Sequence, residues 1–443
     1  MSPELLGLAD RLIRFGLGCG ADEIEVGIGE GEEFDVDVRQ GRVENLVEAG
    51  ARSAGIRVIK DRRTAYASSS DLSEEALRRL VANAVRRAEL AQADPCAAFP
   101  ALDPVRIDPE ALDIFDPSVA ALEPRTKIGL ALETERIALA DKRITNSHGA
   151  SFSTHDGRTV LASSNGFAGS YRKTYCSLSL GLQAGPVDDM VEDFWYTNRI
   201  HFRDLDPPER VARTAVERTV RQLNPRRIKT QRIPVVFEPL MTGSLLGFLF
   251  SCVAGPAVDQ KATFLAEQLG RPIGNAKVTV VDDGLLPRRL GSGPFDSEGV
   301  SSRRTVVVEN GVLKNFLCNA YSARKLGLAT TGNADGAGVS PNNFYLEPGP
   351  HPAEAIIRSC DRGLLLIRTL GHGLNPVTGD ISRGAFGLWI ERGEIVHPVS
   401  GITISGNLGQ VLNSVEMVGS DLDFQSSISG PTIKVAEMLI AGE

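Results

Sequence analysis

The sequence predicts an α+β protein, in which two N-terminal regions of helices and sheet precede a larger, mainly antiparallel β C-terminal domain. Three observations carry this expectation. Apolar residues alternate with polar or small ones in several N-terminal segments, as half-buried strands require. An apolar stripe at helical spacing follows them. Beyond Asn224-Pro225 the composition turns to β-prone runs broken by glycine-rich turns. At 443 residues, 42% of them hydrophobic and 23% charged, the chain has material for two or three ordinary folded domains. The composition places them at 1–112, 113–226 and 227–443.

The first region opens with a helix up to Phe15, stopped by Gly16, Gly18 and Gly20. Ile24, Val26 and Ile28 mark a strand, as do Phe34, Val36 and Val38. With the segments carrying Ile56, Val58 and Tyr66, they predict an antiparallel sheet with one wet face. Asp71 or Ser73 can cap the next helix, where Leu77, Leu80, Val81, Ala84, Val85 and Ala88 share the side that packs on the sheet. Five prolines between Asp94 and Pro117 read as an extended wrap between domains. The second region restarts with a helix at Pro124. It runs through glycine- and serine-rich strands from Ile144 to Leu182 and ends in a helix with Val211, Ala215, Thr219 and Leu223 on one side. In the third region Ile233 to Phe237, Val278 to Val281, Thr305 to Val308 and Leu388 to Ile390 read as strands. Val307 to Leu313 and Trp389 to Ile395 each place a glycine between apolar strands, as two hairpins of one sheet.

Charge narrows the partners. The 48 basic and 56 acidic side chains leave a net charge of −8, which repels polyanions, so nucleic acid is not the expected partner. Six scattered cysteines without a CxxC pair read as reduced thiols. Met1-Ser2-Pro3-Glu4 lacks the basic and apolar regions of a signal peptide, so a cytoplasmic location is expected. Leu240 to Val258 carries no charge, but Gly243, Gly247, Gly255 and Pro256 interrupt it. It reads as a buried helix and a turn, not a membrane span.

Local motifs yield no catalytic or metal-ligating residue. A helical zinc-protease site needs two histidines one turn apart beside a glutamate. The nearest pair here, His148 and His155, lies in a segment that reads as strands and turns. Ser322-Ala323-Arg324-Lys325 matches SxxK without its SDN and KTG companions, and reads as a helix start. No GxSxG elbow or GxxxxGK[ST] loop occurs, and Gly16 to Gly20 precedes a strand where a dinucleotide fingerprint would follow one. Asn333-Ala334-Asp335-Gly336 lacks the outer ligands of a calcium loop. Asp282 and Asp283, adjacent on a strand, point to opposite faces and read as turn or cap residues.

Longer motifs say more. Pro294-Phe295-Asp296-Ser297-Glu298-Gly299, Ala320 to Gly327, Thr378-Gly379-Asp380-Ile381-Ser382-Arg383-Gly384-Ala385, Pro398 to Asn407 and Val418-Gly419-Ser420-Asp421 resemble, in order and spacing, the PmbA/TldE branch of the TldD/PmbA protease family. The resemblance covers nearly the whole chain. It implies a two-subunit cytosolic peptidase whose TldD subunit binds zinc through an HExxxH helix and a distant cysteine. It also implies peptide substrates, unfolded or ribosomally made, such as a microcin precursor. Here the corresponding helix reads Met241-Thr242-Gly243-Ser244-Leu245-Leu246-Gly247, and the cysteine region reads Ser426-Ser427-Ile428-Ser429-Gly430. The resemblance therefore implies a subunit without its own metal or catalytic residues, paired with a zinc-bearing TldD-like chain; a homodimer in the absence of that chain stays open. From the shared motifs, Asp296, Glu298, Arg324, Asp380 and Arg383 are candidate substrate-binding or structural residues. Two other readings stand beside this one. The first is a regulatory binding protein, since family members have been labelled modulators of DNA gyrase. The second is an independent hydrolase assembled from distant residues.

Overall fold

The computed structural model describes residues 3–443. Met1 and Ser2, half of the segment read for a signal peptide, lie outside the described residues. The amphipathic helices α1 (Pro3–Gly18) and α2 (Glu74–Leu90) pack on strands β1 (Glu23–Arg39), β2 (Arg42–Lys60) and β3 (Arg63–Ser69). Helix α1 runs through Gly16 instead of stopping there. A Cβ at Gly16 would lie 2.5 Å from Ile24 Cδ1, so glycine lets the helix approach the sheet. The two apolar runs of β1 form one continuous strand. Ile24, Val26, Ile28, Phe34, Val36 and Val38 all have the same parity and all are buried.

That strand joins the first two regions. Strands β4 (Ile144–Ser163), β5 (Ala168–Ala184) and β6 (Val191–Arg199) complete a six-stranded sheet in the order β3-β2-β1-β4-β5-β6. Its first half is covered by α1 and α2. Its second half is covered by α4 (Pro124–Leu139) and α5 (Pro208–Val220), with the short α3 (Pro117–Ala120) alongside. Asn146 to Gly157 lies wholly within β4, so the segment read as strands and turns is one strand carrying both His148 and His155. Strand β3 pairs only with Ala54–Lys60 of β2, which leaves the outer edge of Arg42–Ser53 unpaired among the described residues.

The C-terminal region begins with β7 (Gln231–Phe237), α6 (Pro239–Val253) and α7 (Gly255–Asp259). A second short helix thus stands where a turn was expected. Next come β8 (Val280–Asp283), β9 (Arg304–Glu309), β10 (Val312–Leu313), α8 (Ala320–Leu326), β11 (Ala334–Asp335), β12 (Gly338–Val339) and β13 (Phe344–Leu346). Then follow β14 (Arg362–Leu370), β15 (Leu374–Asn375), β16 (Asp380–Glu391), β17 (Glu394–Asn407), β18 (Val415–Val418), β19 (Ile428–Ser429) and β20 (Ile433–Ala441). Strands β14, β7, β20, β17 and β16 pair in succession, and β16 pairs back to β14, closing a barrel. Closure removes the edges an open sheet would expose. A separate sheet has the order β10-β9-β8-β13-β19. Both expected hairpins form, at Asn310-Gly311 and Arg392-Gly393, where both residues of each turn have positive φ. They belong to different sheets, so the expectation of one common sheet is corrected. The mainly antiparallel C-terminal region and the helix-backed N-terminal sheet make the fold α+β, as expected. No helix among the described residues is long and apolar enough to cross a membrane.

Candidate functional site

Two places bring sequence-distant groups together. The first is the junction of α6 with β19. Helix α6 is apolar and largely buried, and Gly243 and Gly247 lie one turn apart on the face that meets Ile428. A Cβ at Gly430 would lie 2.4 Å from Thr242 Cγ2, so the 426–430 segment crosses the helix at close range. The hydroxyls there serve local needs. Ser426 Oγ donates to Ile428 O at 2.6 Å, Ser429 Oγ donates to Ser426 O at 3.2 Å, and Ser244 Oγ accepts from Arg383 Nη1 at 3.2 Å. Thr242 Oγ1 is buried without a partner. Zinc is held by imidazole, thiolate or carboxylate, and this junction offers neutral hydroxyls. Cys252 is fully buried, and burial raises its thiol above its usual value, which disfavours the thiolate. Among the described residues, no group of three or more His, Cys, Asp or Glu is placed to hold a metal ion. The residues present at the junction do not fit zinc.

The second place is a cavity of about 990 Å³ between the helix-free face of the N-terminal sheet and the loops around 290–297 and 332–342. The face expected to be wet thus encloses a compartment with the C-terminal region. Odd-numbered residues of β1 and β2 point into it, and Gly27, Gly29 and Gly55 leave it open. Glu25 and Arg57 form a cross-strand pair, Arg57 Nη2 donating to Glu25 Oε2 at 3.3 Å. Arg57 Nη1 also donates to Glu298 Oε1 at 2.8 Å. The other oxygen of Glu298 accepts from the Ala320 amide at 2.7 Å, at the start of α8. Asp296 accepts from the amides of Glu298, Val300 and Ala334 at 2.9, 3.0 and 2.9 Å.

Burial sets the electrostatics. It pushes Glu25 up to about 7, partly offset by Arg57 and reinforced by Glu298 and Asp296. It pushes Asp296 up to about 7, although that carboxyl still opens onto the cavity. Asp282, clasped by Asn333 and Asn342, is raised to about 6 by the same cause. Burial works against the charge of Arg57, but Glu25 and Glu298 more than offset it and hold it above its ordinary value. At the far end of the cavity Lys173 donates to the carbonyls of Leu290 and Ser292, and burial lowers it to about 8.

The five residues singled out from the motifs are dispersed. Asp296 lines the cavity, and Glu298 is buried behind it on Arg57. Arg324 donates to the carbonyls of Cys96, Ala98 and Phe99, clasping the proline-rich wrap, and Tyr321 and Lys325 of the same helix reach Asp94. Lys325 therefore does not serve Ser322, whose hydroxyl binds Asn319. Asp380 is exposed and accepts from Thr378 Oγ1 at 2.7 Å and Asn407 Nδ2 at 3.1 Å, closing a turn. Arg383 lies beside α6. Glu25, Arg57 and Lys173 escaped the motif search. For Glu25 and Arg57 the signal was a charge set between apolar neighbours on an otherwise core-forming strand, whereas Lys173, between Arg172 and Thr174, gave none.

Comparison with known proteins identifies the architecture. The chain matches the PmbA/TldA metallopeptidase domain 1 over residues 24–88, the central domain over 117–223 and the C-terminal domain over 230–442. The metalloprotease PmbA of Escherichia coli O157:H7 is 38% identical over 96% of this chain and 93% of its own length. The chain belongs to the PmbA/TldD metallopeptidase family. Its fold is shared with TldE from Thermococcus kodakarensis, with a TM-score of 0.90, 23% identity, and coverage of 98% of this chain and 100% of that one. It is also similar to a Thermotoga maritima protein described as a modulator of a DNA gyrase, with a TM-score of 0.90, 25% identity, and coverage of 99% and 100%. Within this PmbA/TldD member, the α6–β19 junction is where the two segments named by the resemblance meet in space.

Proposed function

We propose that this chain is the PmbA/TldE-type, non-catalytic subunit of a cytosolic peptidase. Its partner is a TldD-like chain, which carries the zinc and cuts unfolded or ribosomally made peptides. The observation that carries the reading is the α6–β19 junction. Helix and crossing segment are in place and closely packed, yet Met241 to Gly247 holds neither histidine nor glutamate and Ser426 to Gly430 holds no cysteine, where the resemblance implies imidazole and thiolate. The chain then contributes cavity wall and interface, while the partner's zinc supplies the activated water.

The unpaired edge of β2 supports a partner. Its exposed Val43, Leu46 and Val47 are costly to leave in water, and an open strand edge invites pairing. In this reading the TldD-like chain covers that edge. The second reading, a regulator without proteolysis, is favoured by the description of the Thermotoga maritima relative. The net charge of −8 opposes direct contact with DNA. Purification of the tagged chain from its native cell, with zinc measured per chain, separates the two. A TldD-like chain and one zinc per pair are expected. Recovery of another target without a zinc-bearing homologue would overturn the assignment.

A further inference from the structure

We propose that the cavity between the N-terminal sheet and the C-terminal loops recognises a primary ammonium group, held by Glu25 with Asp296 beside it. Glu25 is 8% exposed and lines the cavity. Arg57 donates to its Oε2, and among the described residues no donor is hydrogen-bonded to Oε1. Asp296 takes three backbone N–H groups, which leaves one of its four acceptor positions open.

The charge count points to what is missing. Arg57 is hydrogen-bonded to two carboxylates, Glu25 and Glu298, and among the described residues no cationic side chain is hydrogen-bonded to the third, Asp296. The empty cluster meets this deficit by holding protons, with Glu25 and Asp296 both near 7. An ammonium ion entering the cavity replaces those protons and satisfies the free acceptors with its own N–H groups. A metal ion fits less well, because these carboxyls do not converge as a ligand set. The cavity wall also presents the rings of Tyr66, Tyr171 and Phe295, which favour an organic cation. Lys173 does not compete. It pairs with Gly157 while Glu25 pairs with Ser163, so the two are about 20 Å apart along β4. The titratable groups that face Glu25 are Arg57 from β2 and Asp296 and Glu298 from the loop, and Tyr66 of β3 lies beyond Arg57.

The site is built from this chain alone, so it stands or falls apart from the partnership proposed above. Calorimetric titration of the full chain at pH 8 with trialanine, N-acetyl-trialanine and N-acetyl-lysine amide tests it. Trialanine, the lysine amide or both are expected to bind at least tenfold more tightly than acetylated trialanine. Binding of trialanine alone identifies a peptide amino terminus, and binding of the lysine amide alone identifies a side-chain amine. Affinity is expected to fall about tenfold between pH 8 and pH 6, as protons reclaim the carboxyls. Glu25→Gln is expected to lose at least tenfold in affinity, with its melting curve reporting the fold. Should that variant not fold, the ligand series on the unchanged protein decides. Binding of acetylated trialanine as tight as that of both amines, or no binding of either amine, would overturn the proposal.

Discussion

Glu298 holds three parts of the chain with one carboxylate: β2 through Arg57, the start of α8 through the Ala320 amide, and its own loop. Removing it takes one of two carboxylate partners from the buried Arg57 guanidinium and leaves the Ala320 amide unpaired. Glu298→Ala should therefore cost on the order of 3–5 kcal/mol in denaturant unfolding. Arg324 is a second such tie, because its three carbonyl partners belong to the wrap. Arg324→Ala should cost about 1–3 kcal/mol and open residues 94–117 to limited proteolysis. Glu25 makes a pH prediction. Its folded value of about 7 exceeds the ordinary 4.5, so between these limits the folded chain holds more protons than the unfolded one. Stability then falls as pH rises through this window, by about 3 kcal/mol for Glu25 alone. Melting temperature should drop from pH 5 to pH 8, and Glu25→Gln should flatten the slope. None of these ties was legible in the sequence. Glu298 and Arg57 are 241 positions apart, and no local pattern announces such a pair.

At the scale of elements, short-range rules served well where side chains decide. The apolar stripe of α2 and the two glycine turns at 311 and 393 stand where periodicity and turn chemistry put them. They failed where tertiary contact decides. Gly16 reads as a stop, yet it admits Ile24 against the helix. Nothing local shows that Phe34 continues the strand begun at Ile24, because Gly29 to Glu33 interrupts the apolar alternation. The α6–β19 junction is the element on which the functional reading depends, and Gly430 sets its spacing. Gly430→Ala should push the segment off Thr242 and cost about 1–3 kcal/mol, measurable as a lower denaturation midpoint.

At the scale of the molecule, one sheet spans both N-terminal regions and a closed barrel terminates the chain, with the cavity between them. The α+β class was legible because burial periodicity survives in the sequence. The shared sheet and the barrel were not, since strand order depends on pairings such as β7 with β14 and β20, far apart in the chain. In the proposed reading the α6–β19 junction gives this architecture its functional meaning, because the family fold is present around residues that do not fit zinc. The most direct test is to digest a flexible peptide with this chain alone, with a TldD-like chain alone and with the two mixed. Zinc-dependent cleavage by the mixture, none by this chain alone and zinc only on the partner is the predicted result. Cleavage by this chain alone, with stoichiometric zinc bound to it, would contradict the account.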